Sequence, residues 1–129
     1  HPEEDARQAF KQGLRTFPLP IRDPETVEHE IVEMLAWYAA LPEAGEWLGY
    51  GTPEQEIIDE SGELYRSDLV VDDGKRITVV EYKTGAPTPA HEIQLQRYMR
   101  LISKAAPRPV RGVLVYLDLK RLDYKQLQT

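Results

Sequence analysis

Apolar side chains recur at two different periods along this chain. Ala6, Phe10, Leu14 and Phe17 are spaced by four, four and three residues, which predicts an amphipathic helix over Glu3–Thr16. Phe17-Pro18-Leu19-Pro20 breaks it, since proline can neither donate a hydrogen bond nor fit the preceding turn. Asp23-Pro24 pairs a capping carboxylate with proline, a favoured helix start. The helix that follows puts Val27, Ile31, Met34, Leu35, Tyr38 and Leu41 on one stripe, with Glu25, Glu28, Glu30 and Glu33 mostly facing water. Pro42 ends it, and residues 43–53, holding Trp47 and Tyr50 among glycines and prolines, read as an irregular, partly packed connector.

From Glu54 the period falls to two. Glu54–Glu60, Leu64–Val71, Arg76–Lys83 and Val110–Leu117 are predicted strands rich in Val, Ile, Leu and Tyr. Ser61-Gly62 and Asp73-Gly74 are turn signals, the second that of a two-residue hairpin. Thr88-Pro89 starts a helix running to about Lys104 that buries Leu95, Met99 and Ile102, and Pro107 stops its continuation. Asp118–Thr129 fits either a short edge strand or a helix. The predicted order is helix, helix, three-strand meander, helix, strand. Strands apolar on both faces belong at the centre of a sheet with helices on each side, an α/β arrangement.

Length and composition narrow the classes. The 129 residues suit one domain, a helical part over 1–53 and an αβ core over 54–129. With no cysteine there can be no disulfide, thiolate zinc site, iron–sulfur cluster or thiol nucleophile. No apolar run approaches the ~18 residues of a membrane span, and no basic-then-apolar leader opens the chain, so a cytoplasmic location without membrane contact is expected. His1-Pro2, without an initiator methionine, reads as an excised fragment or a tag remnant. The net charge of −6 is uneven: residues 1–64 hold 15 acids and 4 bases, a net of −11, and residues 65–129 hold 7 acids and 12 bases, a net of +5. Such asymmetry allows a polyanion on the basic half, although an acidic solvated helix pair beside a mixed surface gives the same numbers.

Three charged residues interrupt the apolar strands. With Asp73-Gly74 as the central pair of the turn, Asp72 faces Lys75 and Asp68 faces Val79. Asp68 and Glu81 are then diagonal neighbours on one face, about 7–8 Å apart at the backbone, with Lys83 two residues further along that face. The same face continues as Val70 and Ile77, while Leu69, Val71, Val80 and Tyr82 form the other. Two carboxylates at the end of an apolar face are costly to bury unless something compensates them, and oxygen ligands select Mg²⁺ or Mn²⁺ over zinc. Lys83 could orient a water or stabilise a phosphoryl oxygen. An acid–lysine salt bridge on an exposed sheet face uses the same residue types, but the apolar surroundings weigh against it. Gln94 and Tyr98, four apart on the third helix, share a face beside the Leu95/Met99/Ile102 stripe.

Asp68, followed after twelve residues by Glu81-Tyr82-Lys83-Thr84-Gly85, resembles the Asp…(Asp/Glu)-X-Lys signature of the PD-(D/E)XK nuclease superfamily. The Lys-Thr-Gly continuation and Gln94-X-X-X-Tyr98 are similar to its RecB-like branch, the nuclease modules of helicase–nucleases. The likeness covers about residues 54–117. It implies a restriction-endonuclease-like fold, a mixed β-sheet core of antiparallel meander plus a further strand flanked by helices. It also implies a metal-dependent DNA nuclease, exonuclease in type, that serves repair and recombination beside a helicase motor in the same parent chain or a partner subunit. By position, Asp68 and Glu81 become metal ligands for Mg²⁺ or Mn²⁺, with the Tyr82 carbonyl as a further one and Glu56 as the acid on the preceding strand (Glu54 in reserve). Lys83 becomes the catalytic lysine, with Gln94 and Tyr98 as auxiliary catalytic residues. Arg66, Arg97, Arg100 and Lys104, together with Arg108 and Arg111, are candidates for phosphate contacts. RecB-like members carry a metal-binding histidine on a leading helix, for which this chain offers His1, His29 or His91. The alternative is a nuclease-fold module that binds DNA or a protein partner without turnover.

Overall fold

A computed structural model of the protein describes residues 24–128, so the helix expected over Glu3–Thr16 lies outside the described residues. The order is α1 (Pro24–Ala39), α2 (Pro42–Tyr50), β1 (Gly51–Ile58), β2 (Leu64–Asp72), β3 (Ile77–Lys83), α3 (Pro89–Ala105), β4 (Val110–Tyr116) and β5 (Arg121–Gln126). The five strands form one sheet in that order. β1, β2 and β3 make an antiparallel meander, α3 crosses over to bring β4 parallel to β3, and β5 returns antiparallel at the edge. Among the described residues no helix is long and apolar enough to cross a membrane.

Two apolar layers hold this sheet. On one face Met34, Tyr38 and Trp47 of α1 and α2 cover Leu69, Val71, Val80, Tyr82, Val113 and Val115. On the other, Leu95, Tyr98 and Met99 of α3 cover Ile57, Ile77, Val79, Val110, Leu114 and Tyr116. β3, buried on both faces along nearly its whole length, is the central strand the sequence predicts. α3 sits close because β4 has a glycine beneath it. A Cβ on Gly112 would stand 2.6 Å from Met99 Sδ and 2.8 Å from Leu95 Cδ1.

Two expectations need correction, and one left open is decided. Residues 43–50 are helical rather than an irregular connector: Pro42 sits in the first turn of α2, and burial of Ala44 and Trp47 stabilises the helix. α2 runs straight into β1, where a Cβ on Gly51 would lie 2.2 Å from the Trp47 carbonyl. The tail resolves as β5. The β2–β3 turn is a four-residue loop, because Asp72 pairs with Ile77 rather than Lys75. Aspartate side chains favour the wider loop: Asp72 Oδ1 accepts from Gly74 N at 2.9 Å, and Asp73 Oδ1 accepts from Lys75 N at 2.8 Å and Arg76 N at 2.9 Å. The register therefore shifts by two residues. An even shift keeps every side chain on its face.

Replacing Gly112 by alanine should lower stability by about 1–3 kcal/mol, the usual penalty for overpacking, as read by urea denaturation. An unchanged midpoint would contradict the close seating of α3.

Candidate active site

The sheet parts at one end, and the charged residues stand where it does. The β2–β3 ladder covers only Leu69–Asp72 and Ile77–Val80. Beyond it β2 stays paired with β1 as far as Ile58–Leu64, while β3 stays paired with β4 as far as Lys83–Tyr116. A cleft opens between the two ribbons, and α3 lies beneath it. Continuing the register puts Asp68 directly across from Glu81 at the fork, rather than diagonally.

The strand backbone bends at the same place. Glu54 has φ 51°, and its pair with Asp68 is the one missing from the β1–β2 ladder. Leu69 and Val71 pack toward α1 and α2, yet Tyr65, of the same parity, packs toward α3, so β2 turns over between them. The bend brings Ser67 to the side of Glu81: Ser67 Oγ donates to Glu81 Oε1 at 2.6 Å, and Asp68 N donates to the same oxygen at 3.3 Å. Strict alternation hides Ser67 on the opposite face, and the sequence carries no signal for the bend beyond an acid inside a strand. With the β2 ladder ended, Tyr82 N donates to Asp68 Oδ2 at 2.9 Å. A residue's carbonyl points to the same side as its N–H in a strand, so the Tyr82 carbonyl also faces the fork.

Glu81 is 3 % exposed. Burial first, and the Asp68 charge second, hold its carboxyl well above the usual range, against the Ser67 hydroxyl that favours ionisation. Asp68 is raised as well, by burial, and the negative charge of Glu54 adds to this, while the Tyr82 N–H and Lys83 oppose it. The two groups resist carrying two negative charges together. On the other side Lys83 Nζ donates to Gln94 Oε1 at 2.5 Å, and Gln94 Nε2 donates to the Tyr98 hydroxyl at 3.2 Å. Asp68, Glu81, Lys83, Gln94 and Tyr98 thus converge on one cleft.

Other expected residues lie elsewhere. Glu56 is exposed and faces Arg66, 3.6 Å away, so Glu54, whose charge reaches Asp68, is the acid that β1 brings to the pair. Arg97 stands over Tyr65 beside the cleft. Lys104 pairs with Glu60 at 2.9 Å, and Arg100 is exposed on α3. Arg108 and Arg111 are at the far end of the sheet, where Arg108 ties down the β2–β3 loop through Gly74 and Asp72, and Arg111 holds Thr78 and covers Tyr124. His29 is an exposed partner of Glu33 on α1, and His1 lies outside the described residues. His91, in the first turn of α3, meets the Tyr116 hydroxyl at 3.0 Å, which sequence reading did not anticipate.

Among the described residues no group of three or more His, Cys, Asp or Glu side chains is arranged to hold a metal ion. The donor set nevertheless suits a hard divalent cation: two desolvated carboxyl groups that repel one another, with a backbone carbonyl turned toward them.

The raised Glu81 carboxyl gives a signed prediction. Such a group contributes stability below its unfolded value of 4.5 that is lost as pH rises through its folded value. In a chelator, the parent should therefore lose stability relative to Glu81→Gln as pH rises from about 4.5 through the folded value, and the two should run parallel above it. Stability–pH curves for the two proteins that stay parallel throughout in urea unfolding would contradict it.

No curated protein matches the chain. The crystal structure of SSO0001 is similar over 98% of this chain, which spans 60% of that chain's length, at 21% identity and a TM-score of 0.45. The family model described as the PD-(D/E)XK nuclease superfamily matches residues 9–128, a range that takes in the forked sheet and all five cleft residues. The five-stranded mixed sheet flanked by helices is the restriction-endonuclease-like α/β fold, and the chain belongs to the PD-(D/E)XK nuclease superfamily.

Proposed function

We propose that this protein is a metal-dependent deoxyribonuclease of the RecB-like branch, acting as the exonuclease-type module of a helicase–nuclease that serves DNA repair and recombination. Its motor would lie in the same parent chain or in a partner subunit. The observation that carries this reading is the meeting of Asp68 and Glu81 at the fork of the sheet, with the Lys83 ammonium tethered by Gln94 on the same cleft.

Asp68, Glu81 and the Tyr82 carbonyl would hold Mg²⁺ or Mn²⁺, with Glu54 rather than Glu56 as the neighbouring acid. The chemistry such an ion supplies when bound is polarisation of a phosphoryl oxygen and acidification of a water. Ser67 fixes one oxygen of Glu81, and Tyr82 N fixes one oxygen of Asp68, which leaves the remaining carboxylate oxygens to turn into the cleft. Lys83 contributes a positive charge and N–H donors that orient the attacking water or the phosphoryl oxygen. Gln94 acts on Lys83 rather than on the substrate. Its carbonyl accepts from Lys83 and its amide donates to Tyr98, and because an ammonium can only donate, the side chain cannot flip without losing the Lys83 bond. The phenol of Tyr98 keeps its own proton to donate. Arg97 at the cleft would meet the phosphate backbone in a salt-sensitive way, and Arg66, Arg100 and Lys104, outside the cleft, would extend that contact.

Labelled single- and double-stranded DNA incubated with Mg²⁺ or Mn²⁺ tests the reading. Cleavage should depend on the metal, stop in a chelator, and fall by about 100-fold or more in Asp68→Asn and in Lys83→Met. Equal cleavage by the parent and Asp68→Asn, or no metal-dependent cleavage at all, would refute it.

A further inference from the structure

The cleft has a second wall, three residues from Asp68 along β2. The Tyr65 ring stands edge-on to Tyr98, with centroids 6.2 Å apart and planes inclined by 63°. Arg97 carries its guanidinium over the Tyr65 ring, 5.6 Å from the centroid. Tyr65 is half-buried and Arg97 is exposed. Tyr98 is bonded to Gln94 and Gln94 to Lys83, so this stack is joined to the proposed reacting groups through two side chains. The far end of Tyr65 is fixed too. Its hydroxyl donates to Asp59 Oδ2 at 3.3 Å or Glu63 Oε2 at 3.2 Å, and Asp59 Oδ1 is held in the β1–β2 turn by Ser61 N and Glu63 N, both at 2.9 Å.

A planar cation over a tyrosine, exposed at the mouth of a cleft, presents flat π-faces on which nucleobases stack irrespective of sequence. The charges beside it sort the parts of a nucleotide. Asp59 and Glu63 repel phosphate from the phenol corner, which leaves that corner to the uncharged base, while Arg97 and Lys83 attract the backbone. A base within a duplex has both faces covered by its neighbours and cannot reach such a platform; an unpaired base can. The platform adjoins the carboxylate pair, with Tyr65 about 10 Å from Asp68 along the strand.

We infer that Tyr65 and Arg97 form a stacking shelf that seats an unpaired nucleobase beside the phosphodiester to be cut. The inference rests on the nuclease reading for its biological meaning, but binding tests it separately from cleavage.

The experiment compares, by fluorescence anisotropy in EDTA, a labelled oligothymidylate and an abasic strand of equal length and charge. The parent should bind the base-bearing strand about 5- to 100-fold more tightly, the range for stacking one or a few bases. Tyr65→Leu and Arg97→Ala should each shrink that preference, and Tyr65→Phe should retain it. Arg97 is exposed, so its variant answers even where Tyr65→Leu fails to fold. Equal binding of the two strands by the parent, or an undiminished preference in Arg97→Ala, would overturn the shelf. Adding Mg²⁺ separates the two claims. Base-preferring binding without cleavage refutes the nuclease reading and leaves the shelf, whereas cleavage without base preference refutes the shelf alone.

Discussion

Two carboxyl groups, one almost fully buried, face each other at the fork of a β-sheet, and much of the molecule's architecture bears on that meeting. Desolvation and mutual repulsion both oppose their ionisation, so the pair is held at the expense of stability in the absence of a counter-charge. What keeps it in place is the surrounding framework. β3 is clamped between two apolar layers and cannot withdraw Glu81, while Ser67 and two backbone N–H groups satisfy individual carboxylate oxygens. Among the described residues no buried side-chain polar atom lacks a partner.

The parting of the sheet converts this constraint into an accessible site. Were the β2–β3 ladder to run on past Asp68, the Tyr82 N–H would bond to a strand and the carboxylates would line a closed face. Because β1 and β2 bend together at Glu54, the ribbon swings away and α3 fills the gap with polar groups, Gln94 and Tyr98, instead of a further apolar layer. The other side of Tyr82 shows how tightly the frame is built: its hydroxyl meets that of Tyr38 at 2.5 Å, where burial keeps both phenols protonated. One strand thus carries a rigid face toward α1 and α2 and a charged one toward the cleft.

Much of this was legible in the sequence because periodicity and punctuation are local. The alternation through Leu69–Val71 and Ile77–Tyr82, the Thr88-Pro89 start and the glutamine–tyrosine spacing place four strands, α3 and the cleft residues correctly by face. The hairpin register was off by two, because Asp-Gly signals a tight turn and the competing side-chain bonds of Asp72 and Asp73 favour a wider one. Parity survived that error, so Asp68 and Glu81 still met. Strict alternation favours Glu56 over Glu54 because no composition cue marks Glu54 for the positive φ that bends β1, and it hides Ser67 because β2 loses its pairing with β1 opposite Glu54. Pro42 was read as an ending when it also begins a helix, since proline serves both roles and only the burial of Trp47 decides between them.

The most direct test of the central claim is crystallographic: anomalous scattering from crystals soaked in Mn²⁺. An anomalous peak between the Asp68 and Glu81 carboxylates, absent from Asp68→Asn crystals treated alike, is the predicted result. Mn²⁺ bound elsewhere with none at the fork, or a peak there that persists in the variant, would contradict it.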